Sequence, residues 1–170
     1  MKLSIHDVRF RPISQADFPF LLRLYQSTRV EEMKLIPDWT KQQKSAFVKQ
    51  QFEAQHTFYQ KQFGDAQFDL ILIDDQPVGR LYQEQRKDEI RVIDITLIPE
   101  FRNQGLGKKL MLGIMQKARN LDLAVRIHVE LNNPAMHLYE RLGFKKIGDS
   151  GVYYLMEWNP KNHQAHNGEN

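Results

Sequence analysis

The chain has 170 residues, of which 41% are hydrophobic and 26% are charged, with a formal net charge of +3 and no cysteine. This length suits a single domain with a core of its own. The lack of cysteine excludes disulfide bonds, a thiolate nucleophile and cysteine-ligated zinc. Charged residues interrupt the first twenty positions and no apolar run has membrane-spanning length, so we expect a cytoplasmic protein with no membrane partner. The lysines and arginines are scattered, which argues against a nucleic-acid partner.

The N-terminal part of the chain predicts one strand followed by two helices. Residues 8–13 alternate apolar and polar side chains, as in a half-buried strand. Ser14 and Asp17 have the spacing of a capping box before an amphipathic helix, and Thr40 and Gln43 repeat that spacing before a longer one. The apolar stripe predicted for the longer helix, which should end at Gly64, comprises Phe47, Val48, Phe52, Phe58, Tyr59 and Phe63.

The rest of the chain predicts strands interleaved with helices. Strands are expected at residues 68–73 and 78–85, on either side of a turn at residues 74–77. The later elements are a strand at 90–98, a helix from about 104 to 120, a strand at 124–129, a helix at 134–141, and strands at 144–147 and 152–158. We therefore expect a mixed sheet with helices on both faces, forming one domain over residues 1–160, and a disordered polar tail at 161–170.

One junction between a strand and a helix has the features of a phosphate site. It reads Pro99-Glu100-Phe101-Arg102-Asn103-Gln104-Gly105-Leu106-Gly107-Lys108. A helix N-terminus presents unpaired amides to an anion, and the two glycines let the backbone approach phosphate oxygens. A Walker loop would require glycine at position 102, where Arg102 stands. The dinucleotide fingerprint would require glycine at position 110, where Leu110 stands.

A second segment lies one helix and one strand further along. It reads Asn132-Asn133-Pro134-Ala135-Met136-His137-Leu138-Tyr139-Glu140-Arg141-Leu142-Gly143-Phe144. Asn133 is placed to cap a short helix, Pro134 suits its first position and Gly143 suits its end. Taken alone, Tyr139 is most simply a packing tyrosine.

Together the two segments resemble the GNAT superfamily, the Gcn5-related N-acetyltransferases. The first resembles the pyrophosphate motif Arg-x-x-Gly-x-Gly, and the second resembles Asn-x-x-Ala-x-x-Leu-Tyr-x-x-Leu-Gly-Phe at every fixed position. The resemblance implies an α/β (α+β mixed) fold: a twisted, mostly antiparallel sheet of about six or seven strands, with a splayed parallel pair at residues 90–98 and 124–129, flanked by about four helices.

The resemblance also implies a donor site and a proton donor. Acetyl-CoA would lie between the splayed strands, and Tyr139 would protonate the departing sulfur, since a phenol is protonated at pH 7. The general base stays open among Asp94, Glu130, Glu84 and ordered water. No histidine pair has helical metal spacing, so no metal is expected. The residues implied for cofactor binding are Thr96, Leu97, Arg102, Asn103, Gln104, Gly105, Leu106, Gly107, Lys108 and Asn132.

The implied function is transfer of an acetyl group from acetyl-CoA to a primary amine by direct attack. The acceptor could be a small molecule or a peptide N-terminus, and the use of other acyl groups is left open. The alternative is a non-catalytic module of the same fold that binds or senses acyl-CoA. Apolar residues in the final hairpin are compatible with a homodimer.

Overall fold

The computed structural model describes residues 7–163. Seven strands form one sheet in the order β1-β2-β3-β4-β5-β7-β6, mostly antiparallel, with β4 and β5 as the parallel pair. The strands are β1 Val8–Pro12, β2 Gln67–Ile73, β3 Gln76–Gln85, β4 Glu89–Leu97, β5 Ala124–Glu130, β6 Lys145–Asp149 and β7 Tyr153–Trp158. The predicted fold class is confirmed.

Five α-helices accompany the sheet within the described residues. They are α1 Phe18–Ser27, α2 Val30–Met33, α3 Lys41–Gln62, α4 Leu106–Leu121 and α5 Ala135–Arg141. The single-turn helix α2 lies between the two predicted N-terminal helices and was not predicted. No helix in residues 7–163 is both long and apolar enough to cross a membrane.

The chain divides into two compact units. The first contains the residues up to Leu81 together with Ile95–Arg102, and the second contains Tyr82–Asp94 and the residues from Asn103 onward. The predicted boundaries of one domain at 1–160 and a tail at 161–170 remain a prediction. Pro160–His163 form a short 3-10 helix, and residues 164–170 lie outside the described part of the chain.

The core of the first unit forms where α1 and α3 bury their apolar stripes with β2. Leu21 and Tyr25 of α1, Phe52 of α3 and Leu70 of β2 belong to one cluster of buried side chains. The stripe predicted for α3 is only partly correct, because Phe58 is 57% exposed. Phe58 follows Phe52 by six residues and therefore lies well off the row that positions three and four apart create.

Both predicted capping boxes are present in the first unit. The Ser14 amide donates to Asp17 Oδ2 at 2.8 Å, and the Thr40 amide donates to Gln43 Oε1 at 2.8 Å. The turn after β2 is tighter than predicted. Asp74 and Asp75 both have positive φ, 50° and 61°, as in a two-residue type I′ hairpin, so β3 begins at Gln76.

In the second unit, α4 and α5 lie on the same face of the sheet. The Arg119 guanidinium carbon of α4 lies 5.3 Å from the centroid of the Trp158 ring. The His163 ring stacks on the same Trp158 ring at 5.8 Å between centroids, and its Cε1 lies 2.8 Å from where a Cβ on Gly143 would be, at the end of α5. Because Trp158 is in register with Val125, this helix face also carries the alternate β5 residues Val125 and Ile127.

Candidate functional site

The junction between β4 and α4 has the geometry of an anion site. Gly105 is left-handed at φ 82°, and α4 begins at Leu106 rather than at the predicted position of about 104. The Lys109 amide donates to the Gly105 carbonyl at 3.1 Å, so the amides of Leu106, Gly107 and Lys108 precede the first intrahelical hydrogen bond. These amides and the positive end of the helix dipole favour a negatively charged group.

The glycines of this junction have open space beside them. A Cβ built on Gly105 or Gly107 would meet no atom within 4 Å. Leu106, between them, is only 2% exposed and fixes the start of α4 to the core of its unit. The protein therefore has no internal packing reason for glycine at position 107. The space and the unpaired amides together suit a bulky anion such as a pyrophosphate.

Arg102, predicted as a phosphate ligand, is directed towards protein atoms of the first unit. Its Nε donates to the Leu97 carbonyl at 2.9 Å, and its Nη2 donates to Ser27 Oγ at 2.9 Å. Ser27 Oγ in turn donates to the Leu24 carbonyl at 2.6 Å. Burial lowers the pKa of Arg102 from its ordinary value. Arg102 thus connects the end of β4 to the last turn of α1, a link across 75 residues that no local pattern predicts.

Gly79 of β3 packs against Thr96 and Leu97, two of the residues predicted to bind the cofactor, and the sequence analysis did not single it out. A Cβ at this position would lie 2.3 Å from the Thr96 carbonyl oxygen and 2.9 Å from Leu97 Cδ2. The end of β4, which contains the predicted cofactor-binding residues Thr96 and Leu97, therefore approaches β3 too closely for a side chain at position 79. An isolated glycine inside a predicted strand is the signal that could have identified it.

The parallel strands part inside the second unit. Registered pairing of β4 with β5 runs from Glu89 with Ala124 to Val92 with Ile127. Both strands continue, β4 to Leu97 and β5 to Glu130. Registered pairing therefore ends at Val92 and Ile127, and this is the point from which the predicted splay would open.

Tyr139 of α5 is buried, with 5% of its surface exposed, and its ring centroid lies 5.8 Å from that of Phe144. Burial raises the pKa of Tyr139 to about 12, and the negative charge of Asp94 adds to the shift. The hydroxyl therefore stays protonated throughout the physiological range. Asn132 is exposed just before α5. The helix begins one residue later than predicted, with Pro134 rather than Asn133 at the N-cap, and Asn133 Oδ1 accepts from the Ala135 amide at 2.9 Å.

The three candidate bases differ in their surroundings. Glu84 accepts from Arg86 Nε at 2.6 Å, so one of its carboxylate oxygens is engaged by an arginine. Asp94 is close enough to Tyr139 for its charge to act on the phenol. Glu130 is exposed at the end of β5. The base stays open between Asp94, Glu130, Glu84 and water. Among residues 7–163, no group of three or more histidine or acidic side chains could hold a metal ion.

The chain has a mixed sheet with one parallel pair, followed by a helix that begins at an open glycine junction, which defines an α/β protein. The sequence matches the acetyltransferase (GNAT) family over residues 32–144. The chain belongs to this family, and the predicted membership is confirmed.

Two relatives and one solved structure illustrate the similarity. The chain is 35% identical over 66 residues to an N-alpha-acetyltransferase of Saccharolobus solfataricus, and 30% identical over 66 residues to one of Sulfurisphaera tokodaii. Each match spans 37% of this chain and 40% of the relative. The crystal structure of the PaiA N-acetyltransferase from Thermoplasma acidophilum, in complex with coenzyme A, superposes with a TM-score of 0.65 at 17% identity, covering 89% of this chain and 98% of that one. This likeness concerns the fold.

Proposed function

We propose that the chain is an acetyl-CoA-dependent N-acetyltransferase whose acceptor is the α-amino group of a peptide or protein. The observation that most supports acetyl-CoA as the acetyl donor is the start of α4, where unpaired amides lie beside the open space at Gly105 and Gly107. Membership of the acetyltransferase family supports the reaction class. The acceptor class is supported by two relatives named N-alpha-acetyltransferases.

In this proposal the amides of residues 103–108 hold the pyrophosphate of acetyl-CoA, and main-chain groups at Thr96 and Leu97 orient the thioester carbonyl. Asn132 contributes a side-chain hydrogen bond to the cofactor arm. Arg102 supports the loop through its bonds to Leu97 and Ser27, and any charge it lends to the phosphates comes in addition. Preorganised donors of this kind stabilise the oxyanion that forms on the carbonyl.

The amine nitrogen bonds to the acetyl carbonyl carbon, the carbon–sulfur bond breaks, and its electron pair leaves with the CoA sulfur. The amine loses one proton to the base or to water. Tyr139 has a pKa of about 12, whereas an ordinary alkyl thiol such as that of cysteine has one near 8.5. Complete proton transfer from the phenol to the thiolate is therefore uphill, and Tyr139 acts mainly by donating a hydrogen bond to the departing sulfur.

The test measures free thiol released from acetyl-CoA with peptides that carry free N-termini, with simple amines, and with the same peptides N-acetylated as a control. We expect release with free peptides and none with blocked ones. If the protein binds acetyl-CoA but no acceptor causes thiol release, the result would contradict the proposal and favour a sensing module. Thiol release with simple amines but not with peptides would support the acetyltransferase activity and reject a peptide as the acceptor.

A further inference from the structure

His128 lies where the two parallel strands part. It directly follows Ile127, the last β5 residue in register with β4, and it is exposed. Alternation along β5 puts it on the face opposite to Val125 and Ile127. We call this the polar face; it carries Arg126, His128 and Glu130 of β5 and their register partners Glu157, Leu155 and Tyr153 of β7.

In the proposed function, the two faces would serve different halves of the reaction. The helix face carries α4, whose start is the proposed phosphate site, and α5, which carries Tyr139. The donor and the leaving-group hydrogen bond therefore belong to the helix face. An acceptor that attacks the thioester needs a separate approach to the splay, and the polar face supplies one. Beyond Ile127, the β5 side chains on that face are His128 and Glu130.

The contacts of the His128 ring define which of its nitrogens carries a proton. Its Nδ1 lies 3.4 Å from Arg91 Nη1. A guanidinium can only donate, so Nδ1 must be the acceptor. Burial and the charge of Arg91 lower the pKa of His128, so the ring is neutral at pH 7 and its single N–H is at Nε2.

The ring is also held in place from β7. The Tyr153 and His128 ring centroids lie 6.4 Å apart with an edge-to-face geometry, within the range that aromatic pairs prefer. The charges of Glu89 and Arg91 on β4 act on the ring. The same face also carries Arg126 and Glu130 of β5 and Glu157 of β7. Of these, Glu89 and Glu157 are both paired with Arg126.

We propose that His128 determines specificity for α-amino acceptors, by donating its Nε2–H to the carbonyl oxygen of the acceptor's first residue. This inference rests on the proposed function. In a peptide, the α-amine and the first carbonyl are attached to the same carbon, whereas a simple alkylamine lacks the carbonyl. A fixed neutral donor at the acceptor's approach to the splay therefore favours peptide N-termini over alkylamines.

The test compares wild type with His128→Leu and His128→Gln on two matched acceptors, an alanyl peptide and isopropylamine, which replaces the alanyl carbonyl by a methyl group. Each variant is compared with wild type on the same acceptor, so the different basicities of the two amines cancel. One hydrogen bond corresponds to a loss of about 3- to 10-fold in kcat/KM for the peptide with His128→Leu. We expect isopropylamine to be unaffected, and His128→Gln, which retains an N–H, to recover most of the peptide activity.

Three results would overturn the inference. Equal losses with both acceptors would mean that His128 does not read the carbonyl. Unchanged peptide kcat/KM would remove His128 from recognition. If the kcat–pH profile of His128→Leu lacks the acidic limb seen with wild type, then His128 acts as the general base. If wild type releases no thiol with the peptide and none with isopropylamine, the proposed function itself is rejected. Unfolding temperatures measured in parallel show whether each variant is folded.

Discussion

Replacement of Gly107 by alanine separates the folding role of this glycine from its binding role. A Cβ at position 107 meets no atom within 4 Å, so Gly107→Ala creates no clash in the free protein. Alanine is favoured over glycine in a helix by about 0.5–1 kcal/mol. For a chain of this size we expect the unfolding temperature to rise by about 1–4 °C.

Binding of CoA should change in the opposite direction. The new methyl group fills the space beside the free amides of the first turn of α4. Loss of one or more hydrogen bonds to a charged phosphate costs about 1.5–3 kcal/mol, so the Kd for CoA should rise by about 10- to 100-fold. Calorimetric titration with CoA at constant ionic strength measures this change, and titration with pantetheine, which lacks the pyrophosphate, should show none.

Gly113 provides the matched control. It lies in the same helix, is exposed, and a Cβ at this position would likewise meet no atom within 4 Å. Gly113→Ala should stabilise the helix similarly and leave the CoA affinity unchanged. If Gly107→Ala binds CoA as tightly as wild type, or if both variants weaken binding equally, then the start of α4 is not the pyrophosphate site.

Three further predictions concern catalysis and stability. Tyr139→Phe should lower kcat by roughly 10- to 100-fold in the thiol-release assay, because it removes one hydrogen bond to the charged departing sulfur. Burial raises the folded pKa to about 12, so wild type should also lose about 3 kcal/mol of stability as pH rises from 10 through 12, and the variant should not. Identical alkaline unfolding curves would contradict the burial argument. Gly79→Ala should lower the free energy of unfolding, measured by urea denaturation, by about 1–3 kcal/mol and should reduce activity. Gly148→Ala should change neither, because a Cβ at position 148 would have no atom nearer than 3.5 Å. Hydrogen bonds from Arg11 are the main cause that lowers the pKa of Asp17 to about 2. The ionised Asp17 therefore contributes about 1–2 kcal/mol to the free energy of unfolding above pH 4, and this contribution is lost as pH falls towards 2. Asp17→Asn should flatten the acid limb of the curve of stability against pH, whereas an unchanged limb would mean that other carboxylates cause it.

The order of elements and the family motifs were predictable because they depend on local patterns. The capping boxes at Ser14 and Thr40 need only three-residue spacing, and the start of α4 is marked by its glycines. The hairpin was placed two residues late, since Pro77 resembles a turn residue although Asp74 and Asp75 make the turn by themselves. Periodicity misplaced Phe58 because an aromatic side chain was counted without regard to its angle around the helix.

The long-range contacts of the site were not predictable. Arg102 was expected to face a phosphate on grounds of charge, yet its partners depend on how β4 and α1 fold within their unit. The constraint at Gly79 arises from the distance between two strands. The tautomer of His128 follows from Arg91, which is 37 residues away in sequence. Such contacts require coordinates, because no spacing rule connects the residues that make them.

The position of β7 has a consequence for synthesis of the chain on the ribosome. In the sheet β7 separates β5 from β6, although it is made after both. β6 therefore leaves the ribosome before β7, the strand with which it pairs. β5 also lacks β7 as a neighbour until β7 has been synthesised. The ring of His163 closes over the end of α5 later still. A nascent chain that stops before Trp158 leaves two strands without their shared neighbour, so we expect nonsense mutations in or before β7 to yield aggregation-prone products.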